Sequence, residues 1–174
     1  GDDGILGALV HELEHKEGFR IVGAETLVPD VLAAEGVLGG LQPDEQALGD
    51  IKRGIAVASA LCALDVGQAC VVQQGLVLAA EAIEGTDAML ARAGELRREA
   101  PGGVLVKVGM PKNEGRADLP TIGVASIHAA VAAGLRGIAV EAGCALIIDR
   151  EQTVKAADAS GLFVVGFDIW AMLG

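Results

Sequence analysis

Apolar positions recur at two spacings along the chain, and the switches between them mark the elements. Ile5, Leu6, Leu9, Val10 and Leu13 follow the 3,4-residue spacing of one helix face, with Asp2 and Asp3 placed to cap its start and Gly18 to stop it. Phe19-Arg20-Ile21-Val22 then reads as a strand. The stretch Thr26 to Gln42, with Pro29, Gly36, Gly39 and Gly40, reads as a structured loop. Pro43-Asp44-Glu45 opens a long helix whose stripe is Leu48, Ile51, Ile55, Ala58 and Leu61, with Lys52 and Arg53 off it.

Beyond Gly67 the pattern becomes short and continuous. Ala69–Val72 and Leu76–Ala80 are predicted as buried strands joined by a turn at Gln73-Gln74-Gly75. A helix is predicted from about Asp87 to Ala100, broken by Pro101-Gly102-Gly103, and Val104–Val108 as the next strand. A polar stretch without periodicity, Gly109 to Pro120, precedes a helix at about Ala125–Leu135. Strands near Ile138–Val140 and Leu146–Ile148, a helix at about Glu151–Ala159 and a strand at Leu162–Val165 complete the chain. Strands rich in Val, Ile and Leu alternating with helices predict an α/β domain, a mixed sheet largely covered by helices, in one unit over residues 1–174.

Composition narrows the function. Of 174 residues, 30 are Ala and 25 Gly, only four are aromatic, and the net charge is −11. Such a chain lacks both the basic footprint and the stacking rings of a nucleic-acid binder. No apolar run reaches the ~18–20 residues of a membrane span, and no signal-peptide pattern opens the chain. Cys62, Cys70 and Cys144, each among small aliphatics, read as core residues in a reducing compartment, and a cytoplasmic protein is expected. No dinucleotide, P-loop or nucleophile-elbow fingerprint is present.

Three constellations could carry chemistry. His11-Glu-Leu-Glu-His15 fits the H-E-x-x-H of zinc proteases, but at ~100° per residue both imidazoles fall opposite the apolar stripe. The only other histidine is His128, far along the chain, so the string reads as a solvated surface. In Glu81-Ala-Ile-Glu84-Gly-Thr-Asp87, carboxylates end an apolar strand and open a helix. Thr86 and Asp87 suit a helix cap and its dipole, whereas Glu81 and Glu84 at a buried strand's end suit a cleft that holds Mg²⁺ or sugar hydroxyls. The third lies between Lys107 and Thr121, where Lys107, Lys112 and Arg116 stand with Glu114 and Asp118. Six of the thirteen Lys and Arg residues fall between Arg92 and Arg116. Basic groups beside isolated carboxylates suit a phosphate ester and a divalent cation. A solvated polar loop is the plainer alternative, and a binding module whose small aliphatic side chains line an acyl groove is another.

Four segments together resemble the UDP-2,3-diacylglucosamine pyrophosphatases of the two-domain type. They are Leu27–Leu38, Val72–Asp87, the Pro111–Gly123 loop and Val140-Glu-Ala-Gly143. The family's loop runs P-x-Q-D-x-R-x-D-x-P, and here it is Pro111-Lys-Asn113-Glu114-Gly-Arg116-Ala-Asp118-Leu-Pro120, with Asn for Gln and Glu for Asp. The resemblance implies a C-terminal catalytic domain whose N-terminal companion lies outside this chain. It implies metal-dependent hydrolysis of UDP-2,3-diacylglucosamine to UMP and 2,3-diacylglucosamine 1-phosphate in lipid A biosynthesis. By that resemblance Asp118 holds the metal or activates water, with Glu114 as a second ligand, and the cation is Mg²⁺ or, second, Mn²⁺. Lys107 and Arg116 would neutralise phosphate oxygens. Glu81, Glu84, Thr86 and Asp87 would surround the sugar or the metal, Gly85 and Thr121 would join them at the substrate, and Gln73 and Gln74 would add polar contacts. A lipid-linked substrate implies peripheral contact with the inner membrane, and a homodimer is one assembly open to such a domain.

Overall fold

Strands buried on both faces carry apolar side chains at nearly every position, and their two-residue alternation separates two cores. The structure is a computed structural model that describes residues 2–22, 29–109 and 119–173. The strands are β1 (Gly36–Val37), β2 (Ala69–Gln73), β3 (Leu76–Ala80), β4 (Val104–Lys107), β5 (Thr121–Ile122), β6 (Gly137–Glu141), β7 (Leu146–Ile147) and β8 (Phe163–Phe167). The helices are α1 (Asp2–His15), α2 (Glu45–Ala63), α3 (Gly85–Glu95), α4 (Val124–Ala132), α5 (Arg150–Ala159) and α6 (Ile169–Leu173). Six strands form a mixed sheet in the order β1-β8-β6-β4-β2-β3, and β5 and β7 form a separate parallel pair. The expected α/β domain with a helix-covered mixed sheet is therefore the one observed.

Ala69, Val71, Leu105, Ile138 and Val140 point into one core, closed by Met89 and Leu90 of α3 and Ile127 and Ala130 of α4. Their neighbours Cys70, Val72, Val104, Val106 and Ala139 point into the other, beneath Ile51 and Ile55 of α2 and against Ile169 and Met172 of α6. All three cysteines are buried, as the sequence suggested. Burial pushes the Cys70 thiol up to about 12, which leaves it inert.

The topology decides which residues can meet. β4, β6 and β8 run parallel, so Lys107, Glu141 and Phe167 end at one edge of the sheet. β2 runs antiparallel to β4 with Ala69 opposite Lys107, which puts the start of β2 at that edge. Gln73, four residues further along β2, lies about 13 Å away at the opposite edge.

The structure corrects several local expectations. Phe19–Val22 forms no strand: Gly18 is left-handed (φ 71°), Phe19 N–H donates to Leu13 O, and Ile21 N–H to Glu14 Oε1. The segment folds back on the end of α1, so those donors are engaged before any sheet could take them. In α2 the buried line is Ala47, Asp50, Ile51, Gly54, Ile55, Ala58 and Cys62, while Leu48 is 43% exposed. The helix rotates onto its small residues because Gly54 sits directly on Val106, in space a Cβ would need. The loop predicted from Thr26 to Gln42 contains β1, paired antiparallel to β8 where Gly166 lets the backbone of Ala34 pass. Helix α3 ends at Glu95, short of Ala100, and the short α6 lies beyond the last predicted strand.

Candidate functional site

At the edge where β4 ends, the first turns of α3 and α4 flank a cleft of about 350 Å³. Its walls are Glu84, Gly85, Thr86, Asp87, Lys107, Thr121 and Ser126, and its floor is Leu105 and Ile122, both fully buried. Two runs of sequence converge here because β3 leads through a short loop into α3 beside β4, and β5 leads into α4 on the same side. Gly85 has φ 79°, a conformation glycine adopts without strain, and it turns the chain into α3.

Lys107 is the buried centre of this arrangement, with a relative exposure of 5%. Its Nζ donates to Thr86 Oγ1 at 3.1 Å and to Thr121 O at 3.5 Å. Thr86 Oγ1 in turn donates to Glu81 Oε1 at 2.5 Å, and Gln68 N–H donates to Glu81 Oε2 at 3.1 Å. Thr86 therefore does not cap α3. The capping position is Glu84, whose side chain makes no cap hydrogen bond, and α4 begins after Gly123, which has none to offer. Neither helix has a side-chain cap from its N-cap residue, and a helix start left so attracts anions. Glu84 instead pairs with Arg92 at 2.5 Å. Its own backbone N–H and then the Arg92 guanidinium hold its carboxyl below the ordinary range. Asp87 is exposed at the rim.

Of the residues expected at a site, Glu84, Gly85, Thr86, Asp87, Lys107 and Thr121 are thus brought together, with Glu81 buried behind them. Gln73 and Gln74 are not. At the far edge, Gln73 Nε2 donates to the carbonyls of Arg98, Glu99 and Pro101, and its Oε1 accepts from Arg98 N–H. Gln74 N–H donates to Asp50. The register of β2 against β4 separates these glutamines from the cleft, so they serve the β2–β3 turn and the loop after α3. Glu114, Arg116 and Asp118 lie outside the described residues.

Two residues escaped sequence reasoning. Ser126 lines the cleft and accepts from Gly123 N–H at 3.2 Å, a contact that the Gly-x-x-Ser spacing at a helix start could have indicated. Glu141, at the end of β6, accepts from Gly109 N–H at 2.8 Å and fixes the chain just past β4. Only strand register reveals that pairing. His11 and His15 are exposed on α1 with ring centroids 4.1 Å apart, as the helical geometry required. Among the described residues, no group of three or more His, Cys, Asp or Glu side chains could hold a metal ion. The H-E-x-x-H string accordingly gains no third ligand there.

Comparison with known proteins bears on the same region. The model of the LpxI C-terminal domain family matches residues 34–165, which include every wall of the cleft. The chain is also 48% identical, across 174 aligned residues, to a Caulobacter vibrioides protein named UDP-2,3-diacylglucosamine pyrophosphatase LpxI. That alignment takes in 97% of this chain and 62% of the relative's length.

Proposed function

The chain belongs to the LpxI C-terminal domain family, and from that premise we propose that it is the catalytic domain of a pyrophosphatase acting on UDP-2,3-diacylglucosamine in lipid A biosynthesis. The products would be UMP and 2,3-diacylglucosamine 1-phosphate. The observation that carries the proposal is Lys107, buried between the uncapped first turns of α3 and α4. A lysine and two sets of amide donors on an apolar floor make a cradle for phosphate oxygens, with charge held in a poorly solvated place where it acts strongly.

In this reading Lys107 and the first-turn amides hold the pyrophosphate, and Asp87, Glu84 and Ser126 face the sugar. Arg116 and Asp118 follow in the polar segment, Asp118 only three residues before Thr121 at the cleft wall. Arg116 adds charge against the oxygens, and Asp118 orients the attacking water. A divalent cation, Mg²⁺ or Mn²⁺, would be held by Asp118 and Glu114 and would shield the pyrophosphate charge. In this reading an N-terminal domain, for which the part of the relative that this chain does not span leaves room, would cover the substrate, and the 174-residue chain alone is expected to be poorly active. On the same reading the protein is cytoplasmic, and a substrate with two acyl chains brings it into peripheral contact with the inner membrane. Among the described residues no helix is long and apolar enough to cross a membrane.

The test is release of UMP from UDP-2,3-diacylglucosamine by the full-length protein, with and without Mg²⁺. Turnover that needs the cation is expected, falling at least about 100-fold in Asp118→Ala. A wild-type protein that binds the lipid and releases no UMP would overturn the proposal. An Asp118→Ala variant at near wild-type rate would remove Asp118 from the mechanism.

A further inference from the structure

Resting on that phosphate-binding reading, we infer that Glu81 and Thr86 are positioning residues that act through Lys107 rather than groups that touch the substrate. A hydroxyl has one proton. Thr86 gives its proton to Glu81 Oε1 at 2.5 Å and turns a lone pair to Lys107 Nζ at 3.1 Å. It has no donor left for a phosphate oxygen. Glu81 is 7% exposed, and both its oxygens are occupied, one by Thr86 Oγ1 and the other by Gln68 N–H. It is not among the residues that line the cleft, where sugar hydroxyls would lie.

The arrangement answers a definite physical difficulty. A buried ammonium group over Leu105 and Ile122 is unfavourable without a partner. Thr86 Oγ1 supplies one by accepting from Lys107 Nζ, and its own proton goes on to Glu81. Glu81 fixes the direction of the Thr86 hydroxyl, Thr86 fixes Lys107, and the negative charge stays one side chain further from the phosphate. Among the described residues that line the cleft, Glu84 is paired with Arg92, and Asp87 stands at the exposed rim.

The experiment is a double-mutant cycle on UMP release by the full-length protein, using Thr86→Val, Thr86→Ser, Lys107→Met and the Lys107→Met/Thr86→Val pair. Unfolding midpoints are recorded alongside. Thr86→Val should lower kcat/KM by about 10–100-fold, the scale of a misplaced catalytic group, and Thr86→Ser should recover to within about 3-fold of wild type. In the Lys107→Met background, Thr86→Val should add less than about 2-fold, because the group it positions is gone. Equal losses in both backgrounds, or a Thr86→Ser as slow as Thr86→Val, would overturn the inference. Glu81→Gln, which keeps an oxygen for Thr86 and removes the charge, gives a second route should Thr86→Val fold poorly. Its expected several-fold loss must likewise vanish without Lys107. Lys107→Met at wild-type rate is a different failure, since it removes the phosphate-binding reading itself.

Discussion

Each edge of the sheet buries polar side chains beside β2, and the two edges use them differently. At the far edge Gln73 is fully buried and Asp50 nearly so. Gln73 makes four hydrogen bonds to the backbone of residues 98–101, and Asp50 accepts from Gln74 N–H at 3.0 Å and Gly75 N–H at 2.6 Å. Every partner there is main chain of this same domain. At the other edge Lys107 is equally buried, but it lines an open cleft and is held by a side chain on a helix start. Burial of a polar group therefore does not by itself identify a site. Where its partners lie does: bonds that close on the backbone brace a turn, and a charge held at a cavity wall can receive a ligand.

The strongest way to break this comparison is to exchange the consequences of substitution. Lys107→Met should cost at least about 100-fold in kcat/KM for UMP release, the scale seen when a preorganised charge is removed. Its loss of stability should be smaller than its loss of activity, because the substitution keeps the aliphatic stem and removes a charge that is costly to bury. Gln73→Leu should do the reverse. Three carbonyls and one N–H lose their partner, so a loss of about 2–3 kcal/mol in unfolding free energy is expected, with KM and kcat of the folded enzyme near wild type. Denaturant melts paired with steady-state kinetics check both. A Gln73→Leu variant that is stable but inactive would put a function at the far edge after all.

A smaller test lies in Asp50→Asn. The amide keeps one oxygen for the turn and sets an N–H₂ against the second backbone donor. About 1–2 kcal/mol of stability should be lost, again without a change in KM. A larger loss than that of Gln73→Leu would mean that the β2–β3 turn, rather than the loop after α3, is the main element braced at this edge.

The sequence exposed the two edges unequally. Strands β2, β4 and β6 are legible because both their faces are buried, so Val, Ile and Leu run continuously. The strings around Glu81 and Lys107 are legible as chemistry because charged residues end those runs. Which edge each string joins depends on register. Gln73 and Glu81 are eight positions apart and look like one constellation until the antiparallel hairpin sends them to opposite ends. The role of Thr86 was hidden for a local reason. The left-handed Gly85 starts α3 one residue before Thr86 and moves its hydroxyl from the cap position toward Glu81. The stripe of α2 was hidden by a distant one, because the contact of Gly54 with Val106 joins residues with no sequence relation.

The smallest expected effect concerns pH, and it sharpens the comparison because each edge carries one exposed carboxylate held below its ordinary range. At the start of α2, Asp44 accepts from Ala47 N–H and pairs with Arg136, and these contacts lower its pKa from 3.8. At the start of α3, the backbone N–H of Glu84 and the Arg92 guanidinium lower its pKa from 4.5. A group depressed in the folded state binds protons more readily when unfolded. Its contribution to stability is therefore complete above the unfolded value and disappears as pH falls through the folded one. Wild-type protein should thus lose stability on acidification, beginning near 4.5 for Glu84 and near 3.8 for Asp44. Asp44→Asn and Glu84→Gln should each flatten part of that acid limb in urea melts taken from neutral to about pH 2. If the edges differ as argued, Asp44→Asn changes the melts alone, whereas Glu84→Gln also shifts KM, because its carboxylate borders the cleft. A KM change in Asp44→Asn, 40 residues before Glu84 and at the opposite edge, would show that the two edges are energetically joined through α2.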